Sequence, residues 1–278
     1  MVAASDGWCD DDVFRATHRS RPFVKGTPMR VTATRVLLAV SILCAAVAAS
    51  AQTVDEIVEK SLTALGGRAA LAKVTSRSTS GKMTVSTPGG DVSGTIEVLN
   101  QAPNKSRTLI NLDLTPLGAQ SLVVDNRFDG TSGYAMDSMR GNNDMPPGQV
   151  ASLRNAIFPT PFLTYKERGT KIALAGREKV ADRDAYALTI TPAAGPVTHL
   201  FIDAESYLPA KMVVTIELPE IGSVEQTIEF ADYRDVDGVK VPFRLKGSSA
   251  VQTFFTVISK VEHNVKIDPA LFVKPAVK

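Results

Sequence analysis

The 278-residue chain is 22% charged and 44% hydrophobic, which is typical of a globular protein and excludes a disordered chain or a repetitive fibre. Its 31 basic and 29 acidic residues give a net charge of +2, so no basic excess indicates nucleic-acid binding. Three His and two Cys leave little material for a metal cage or a disulfide scaffold.

The N-terminal region has the pattern of an export signal. Arg30 and Arg35 supply positive charge, and residues 36–47 form an apolar run that is too short to span a membrane comfortably. The small residues that follow this run predict cleavage between Ala51 and Gln52. The mature protein is therefore expected outside the cytoplasm.

The signal divides the chain into three parts. Residues 1–28 precede it and carry an acidic run at 10–12, so we interpret them as an over-extended N-terminus, with translation beginning at Met29. Residues 29–51 are the signal peptide, and residues 52–278 are expected to form a single domain because no long linker divides them. Both Cys precede residue 52, so the exported chain makes no disulfide and depends on core burial for stability.

The exported chain is predicted to begin with an amphipathic helix. Thr53 and Glu56 are spaced as a capping box, apolar residues follow at helical spacing, and Gly66 and Gly67 end the helix. A second short helix is predicted over residues 68–73. The apolar stripe of the first helix requires a partner surface, which is most simply a sheet.

Nearly everything after Thr75 has the pattern of antiparallel strands. The predicted strands cover residues 76–86, 92–100, 106–114, 117–125, a short pair around 129–130, 171–179, 185–191, 197–203, 210–218, 224–233, 239–246 and 253–263. About ten or eleven strands separated by turn residues predict a mainly β protein with a few helices, built as an incomplete antiparallel barrel or a strongly curved sheet.

The sheet is predicted to have one apolar and one solvated face. In residues 224–230, Val224, Ile228 and Phe230 alternate with acidic and polar residues that include Glu225 and Glu229. A proline-bounded helix over residues 149–157 interrupts the strands and is placed to cover the apolar face. We expect residues 149–162 to act as a mobile lid.

The sequence contains no recognised catalytic motif. The patterns G-x-x-x-x-G-K, G-x-G-x-x-G, G-x-S-x-G and H-E-x-x-H are all absent. His199 and His263 lie in predicted strands without a paired nucleophile, so we interpret them as surface or core-edge residues. Asp235 begins a sequence like a calcium loop, but its twelfth position is Lys246 instead of Glu. We therefore expect no enzymatic activity, no metal and no cofactor.

Four segments with a fixed order carry a family resemblance. They are residues 102–107 (APNKSR), 124–130 (VDNRFDG), 201–209 (FIDAESYLP) and 233–243 (YRDVDGVKVPF). With the export signal and the first helix, they resemble the outer-membrane lipoprotein-sorting proteins of the LolA/LolB-like superfamily, over about residues 53–273. The resemblance implies an incomplete β-barrel whose concave apolar side is covered by helices and holds acyl chains.

The function that the resemblance implies is binding of lipid or lipoprotein acyl chains by a monomeric periplasmic carrier in outer-membrane lipoprotein sorting. Its partners would be membrane-associated donor or acceptor proteins, and not nucleic acid. The alternatives are a periplasmic lipid or lipoprotein sensor that regulates a partner and, more remotely, an exported hydrolase. One residue departs from the family, because the carrier's Arg that couples lid opening to cargo release is replaced here by Ala102.

The apolar cavity is expected to draw side chains from both the sheet and the lid. The predicted cavity residues are Phe128, Tyr134, Met136, Ile157, Phe158, Phe162, Leu163, Met212, Ile216, Ile228 and Phe230. For Tyr134 and Met136 two interpretations stay open, since residues 129–134 also have the pattern of an ordinary glycine-rich hairpin.

Overall fold

The structure is a computed structural model that describes residues 52–87, 89–218, 222–250 and 252–275. The predicted signal peptide and the segment before it lie outside these residues. In the described ranges, the helices are all too short or too polar to cross a membrane.

A single antiparallel sheet contains the thirteen strands found in the described residues. The strands are β1 (Ser76–Thr87), β2 (Gly90–Gln101), β3 (Lys105–Asp113), β4 (Leu122–Phe128), β5 (Gly133–Asp137), β6 (Gly141–Asp144), β7 (Lys171–Val180), β8 (Arg183–Thr191), β9 (Thr198–Asp203), β10 (Pro209–Leu218), β11 (Gly222–Val236), β12 (Val239–Ser249) and β13 (Thr253–His263). Their order is β6-β5-β4-β3-β2-β1-β13-β12-β11-β10-β9-β8-β7, and the terminal strands β6 and β7 do not pair with each other. The predicted fold class, an incomplete and curved antiparallel sheet, is confirmed.

Two details of the predicted strand pattern are wrong. The sheet has more strands than the ten or eleven expected, because β6 (Gly141–Asp144) is polar and exposed and so gives no hydrophobic alternation. The strand predicted over residues 117–125 instead covers Leu122–Phe128, after a 3-10 turn at Thr115–Leu117. Pro116 at the start of that turn and Gly118 at its left-handed end account for the displacement.

The first helix, α1 (Val54–Ala64), has the predicted capping box. The Thr53 hydroxyl accepts a hydrogen bond from the Glu56 amide at 3.3 Å, and the Thr53 amide donates to the Glu56 carboxylate at 3.0 Å. Gly66, with φ of 123°, ends the helix against the β11–β12 hairpin, where a Cβ would lie 2.1 Å from the Gly238 carbonyl oxygen. A side chain at position 66 would therefore push the helix away from the sheet.

Two further helices follow, and both are close to their predicted positions. The helix α2 (Arg68–Ala72) directly follows the glycine pair. The helix α3 (Pro147–Asn155) begins and ends two residues earlier than expected. Pro147 explains the early start, since proline is favoured in the first turn of a helix.

The face of the sheet that packs against α1 is called the inner face, and it carries the main core. The buried members of this main cluster are Ile57, Val58, Leu62, Leu65, Leu71, Val74, Phe158, Phe162, Tyr165, Tyr186, Leu188, Leu200, Ile202, Val239, Val241, Phe243 and Ile258. A second hydrophobic cluster, which contains Met83, lies further along the same face. Ile258 of the main cluster is opposite Gly81 of β1, and Met83 is two residues beyond Gly81, so Ile258 and Met83 are on the same side of the sheet. The opposite side is called the outer face, and on it Glu229 lies 3.6 Å from Lys246.

Candidate functional site

A pocket of about 280 Å³ opens beside the main cluster, between the β2–β3 loop and the segment that follows α3. It is lined by Ala102, Pro103, Ile157, Phe158, Thr160, Leu163, Thr164, Glu167 and Arg168. The deeper residues of this set are apolar, and Ala102, Phe158 and Leu163 also pack into the main cluster. The two charged residues, Glu167 and Arg168, are exposed. The pocket is called the inner pocket below.

The wall of the inner pocket is the covering segment, defined as residues 147–164, which contains α3. Its chain is fixed to the β2–β3 loop by a hydrogen bond from the Phe158 amide to the Pro103 carbonyl oxygen at 2.8 Å. The end of α3 is held by Arg168, which donates to the Arg154 carbonyl oxygen at 3.0 Å. Arg154 itself donates to the Thr131 carbonyl oxygen at 2.9 Å. These attachments are therefore concentrated at the C-terminal end of α3 and just beyond it.

The helical part of the covering segment is weakly packed. No residue of α3 is buried, although Val150 and Leu153 are half-buried, whereas Ile157, Phe158 and Phe162 just beyond it are all buried. A nine-residue helix is unstable in isolation, so α3 depends on the surface beneath it. This combination of a loosely packed helix and a firmly anchored end is suited to local opening.

The predicted cavity residues fall into distinct groups. Ile157, Phe158 and Leu163 line the inner pocket, and Phe162 is buried in the main cluster beside it. Phe128 is completely buried on the inner face of β4. A third group on β10 and β11, half-buried and on the inner face, consists of Met212, Ile216, Ile228 and Phe230. Of this group only Met212 packs against the main cluster.

Tyr134 and Met136 are placed on the wrong face by the cavity prediction. They lie opposite Arg127 and Asp125 of β4, and therefore on the other side of the sheet from Phe128. Tyr134 is nonetheless buried, with the ammonium of Lys274 positioned 5.5 Å from the centre of its ring. The hairpin pattern gave no information on which face these residues would occupy, and a shift of one residue reverses every side chain.

An ion cluster ties the C-terminal segment to this outer face. Asp125 accepts hydrogen bonds from Arg107 at 2.8 Å and from Arg127 at 2.7 Å, and all three side chains are largely buried. Burial alone would raise the pKa of Asp125, but the two arginines lower it overall. Arg127 also donates to the carbonyl oxygen of Val273 at 3.2 Å. Arg107 is thus committed to Asp125, on the face away from the inner pocket.

Sequence reasoning missed Arg77, which lies on the inner face behind Phe158. Its guanidinium carbon is 5.1 Å from the centre of the Phe158 ring, and burial lowers the pKa of Arg77 to about 10. The residue as a whole retains some exposure, but its Nε is buried and has no hydrogen-bond partner among the described residues. The available signal was the alternation along β1, which places Arg77 on the same face as Met83 and Val85.

His263 lies opposite Arg77 on the neighbouring strand β13. Its side chain is only 2% exposed, and Nδ1 lies 3.4 Å from a carboxylate oxygen of Asp237. Burial and the nearby Arg77 charge lower the pKa of His263, against a smaller raising effect from Asp237. The imidazole is therefore neutral near pH 7. His263, predicted as a surface or core-edge residue, is half-buried as a residue with its side chain turned inward, while His199 is exposed.

A second pocket, of about 230 Å³, lies on the outer face. This outer pocket is bordered by Arg244 and Lys246 and contains Phe255 and Val257, which are 45% and 52% exposed. Within the described residues, no group of three or more His, Cys, Asp or Glu side chains is arranged to hold a metal ion.

Neither a family model nor a curated protein matches this sequence. Solved structures do match it. A LolA superfamily protein from Nitrosomonas europaea is 15% identical, with a TM-score of 0.51, and the match covers 81% of this chain and 99% of that protein. The chain has a LolA-like fold. A DUF1329 family protein from Desulfovibrio piger is also similar, at 12% identity and a TM-score of 0.50, with 79% of this chain and 97% of that protein covered.

The LolA-like fold confirms the architecture that the four sequence segments implied. In this chain the fold brings the β2–β3 loop, the end of α3 and the inner face together around the inner pocket. Ala102, which the sequence resemblance matches to an Arg of the carrier family, lines that pocket directly. The structure thus places an apolar side chain at the position where the family resemblance implies a charged one.

Proposed function

We propose that this chain is an exported periplasmic protein that binds the acyl chains of lipids or lipoproteins, as a carrier in outer-membrane lipoprotein sorting. The binding site is the inner pocket together with the inner face beneath the covering segment. The observation that carries the proposal is the apolar lining of this pocket by Phe158, Leu163 and Ala102, directly after a helix that has no buried residue. The export signal in the sequence and the LolA-like fold support the same conclusion.

The size of the inner pocket requires the covering segment to move when a ligand enters. Its volume of about 280 Å³ is at the lower end of the roughly 300–1,000 Å³ that is usual for small-molecule sites. A long acyl chain gains about 0.8 kcal/mol for each CH₂ group removed from water. Displacing α3 sacrifices few buried contacts, so this gain favours opening. Opening also frees β10, which α3 contacts and which carries the half-buried Met212 on its inner face.

The test compares the inner and outer pockets with matched variants. A fluorescent fatty-acid probe is titrated against the wild type, Leu163→Glu in the inner pocket and Val257→Glu in the outer pocket. We expect Leu163→Glu to weaken binding at least tenfold, because an acyl chain would meet a carboxylate, and Val257→Glu to bind like the wild type. Thermal unfolding of both variants checks that they remain folded.

Two results would contradict the proposal. The first is a wild-type protein that binds no probe. The second is the reverse pattern, in which Val257→Glu loses binding and Leu163→Glu keeps it, since the acyl chain would then occupy the outer pocket. A comparison of hydrogen exchange with and without lipid adds a further check, because exchange in residues 149–162 should slow when lipid is bound.

A further inference from the structure

A half-buried arginine on the inner face, Arg77, has no counter-charge among the described residues. The Nε atom of Arg77 is buried without a hydrogen-bond partner, and no ion pair to its guanidinium is found in the described part of the chain. The guanidinium carbon of Arg77 lies 5.1 Å from the centre of the Phe158 ring. With a pKa of about 10, Arg77 is still protonated at neutral pH.

Such an arrangement is costly, since a buried charge needs both a counter-charge and hydrogen bonds to offset the loss of hydration. A cation over an aromatic ring recovers only part of this cost. The carboxylate of Asp237, on the β11–β12 hairpin, lies 3.4 Å from Nδ1 of His263, which is opposite Arg77 on β13, and the Asp237 side chain is 72% exposed. Neutral His263 adds a ring nitrogen, Nε2, that is also buried and finds no partner in the described part of the chain.

Phe158 connects this unpaired charge to the ligand pocket. One side of its ring covers the Arg77 guanidinium, and the residue also lines the inner pocket. Because the Phe158 ring both covers the guanidinium and lines the pocket, a rotation of this side chain as a ligand enters uncovers the guanidinium, while the Phe158 amide stays bonded to Pro103. This rotation therefore exposes the guanidinium to whatever occupies the pocket.

The geometry points to Arg77 as the binding residue for the anionic head group of a single-chain amphiphile, whose acyl chain occupies the inner pocket. This inference rests on the proposed function and adds the head-group chemistry to it. A guanidinium presents parallel N–H donors that match a carboxylate or a phosphate, and such charge-assisted pairs are about twice as strong as neutral hydrogen bonds. The protein then selects charged amphiphiles over neutral ones with the same chain.

The experiment uses three ligands that share a sixteen-carbon chain. Hexadecanoate, hexadecyl phosphate and hexadecan-1-ol are each used at pH 8 to displace Nile red, an uncharged apolar dye, from the full chain. We expect at least one of the two anions to bind about tenfold or more tightly than the alcohol, and the anion that is preferred identifies the head group. In Arg77→Met this preference should disappear, with the affinity for the alcohol retained. The matched control is Arg140→Met, in an exposed turn, which should keep the wild-type preference.

Failure of this inference is distinguishable from failure of the proposed function. If the alcohol binds the wild type as tightly as both anions, or if Arg77→Met keeps the preference, the head-group role is overturned while acyl binding stands. If none of the three ligands displaces the dye, the proposed function fails and the inference fails with it. The wild-type comparison is decisive even if Arg77→Met does not fold.

Discussion

Replacing Phe162 by Ala is expected to release the covering segment while the sheet stays folded. Phe162 lies in the 3-10 turn Pro161–Leu163, is 2% exposed and joins the end of the segment to the main cluster. The helix α3 contributes no buried residue of its own. The closed position of the segment therefore depends on a few side chains, of which Phe162 is the most deeply buried.

The magnitude follows from the buried area. A phenylalanine side chain buries roughly 150–250 Å², which at about 25 cal/mol per Å² corresponds to about 4–6 kcal/mol of transfer free energy. Because alanine retains part of this and the site relaxes, a loss of about 3–5 kcal/mol is expected. At about 1.4 kcal/mol for each factor of ten, the open population of the segment rises by roughly two to four orders of magnitude.

Hydrogen exchange measured by mass spectrometry resolves this effect along the chain. Exchange should become much faster in residues 147–164 of Phe162→Ala and change little in β1 and β13. The control is Leu62→Ala on α1, a residue that is 1% exposed in the same main cluster. Its loss of about 2–5 kcal/mol should appear as a lower midpoint of global unfolding.

The reasoning would be refuted if the two variants behaved alike. If Phe162→Ala lowers the global unfolding midpoint as much as Leu62→Ala, and exchange accelerates evenly over the whole sheet, the covering segment is not a separate unit of stability. It would then be part of one cooperative core, and ligand entry by local opening would need another explanation.

Three further predictions concern stability. Wild-type stability to urea should fall as the pH drops below about 6.5. Burial and the Arg77 charge lower the pKa of His263 in the folded protein, so His263 of the unfolded chain binds a proton at a higher pH and acid favours unfolding. The variant His263→Leu should lack this decrease. Asp125→Asn should lower the free energy of unfolding by about 3–5 kcal/mol, because it leaves two buried arginines without their carboxylate. Limited proteolysis should then cut residues 265–275 faster, and an unchanged urea midpoint would contradict the prediction. Thr53→Ala removes a cap and should cost about 1 kcal/mol in the same assay, with Thr63→Ala as the control late in the helix.

The parts of the fold that could be predicted are those that short-range patterns determine. The capping box at Thr53 and Glu56 and the glycines after α1 involve neighbouring residues, so the helix was located within a residue or two. Alternation in β11 also gave the correct division of side chains, because Glu229 faces Lys246 on the outer side and Ile228 lies opposite Met212 on the inner side.

The candidate site could be predicted only in part, because its key features depend on distant segments. The position of Tyr134 on a strand edge after the glycine-rich hairpin predicts a place in the cavity, and the residue is buried, but on the outer face. The element that buries it is the C-terminal segment around Lys274, which covers the outer face and which no local pattern reveals. Arg77 was missed for a similar reason, because its isolation becomes visible only when Phe158 and His263 are placed around it.

The open sheet has a consequence for association between molecules, because its two terminal strands leave backbone groups unpaired. Exposed strand edges invite pairing with a further strand and so promote aggregation, and natural proteins counter this with short edges, charges and bulges. Here β6 is only four residues long and fully exposed, and the Asp144 carboxylate at its end pairs with Lys274 at 2.9 Å. At the other edge, β7 has a bulge between Leu174 and Gly176, followed by a charged run. Both edges are therefore poor templates for a strand of another chain, so the sheet can stay open at both ends with little tendency to extend from one molecule to the next.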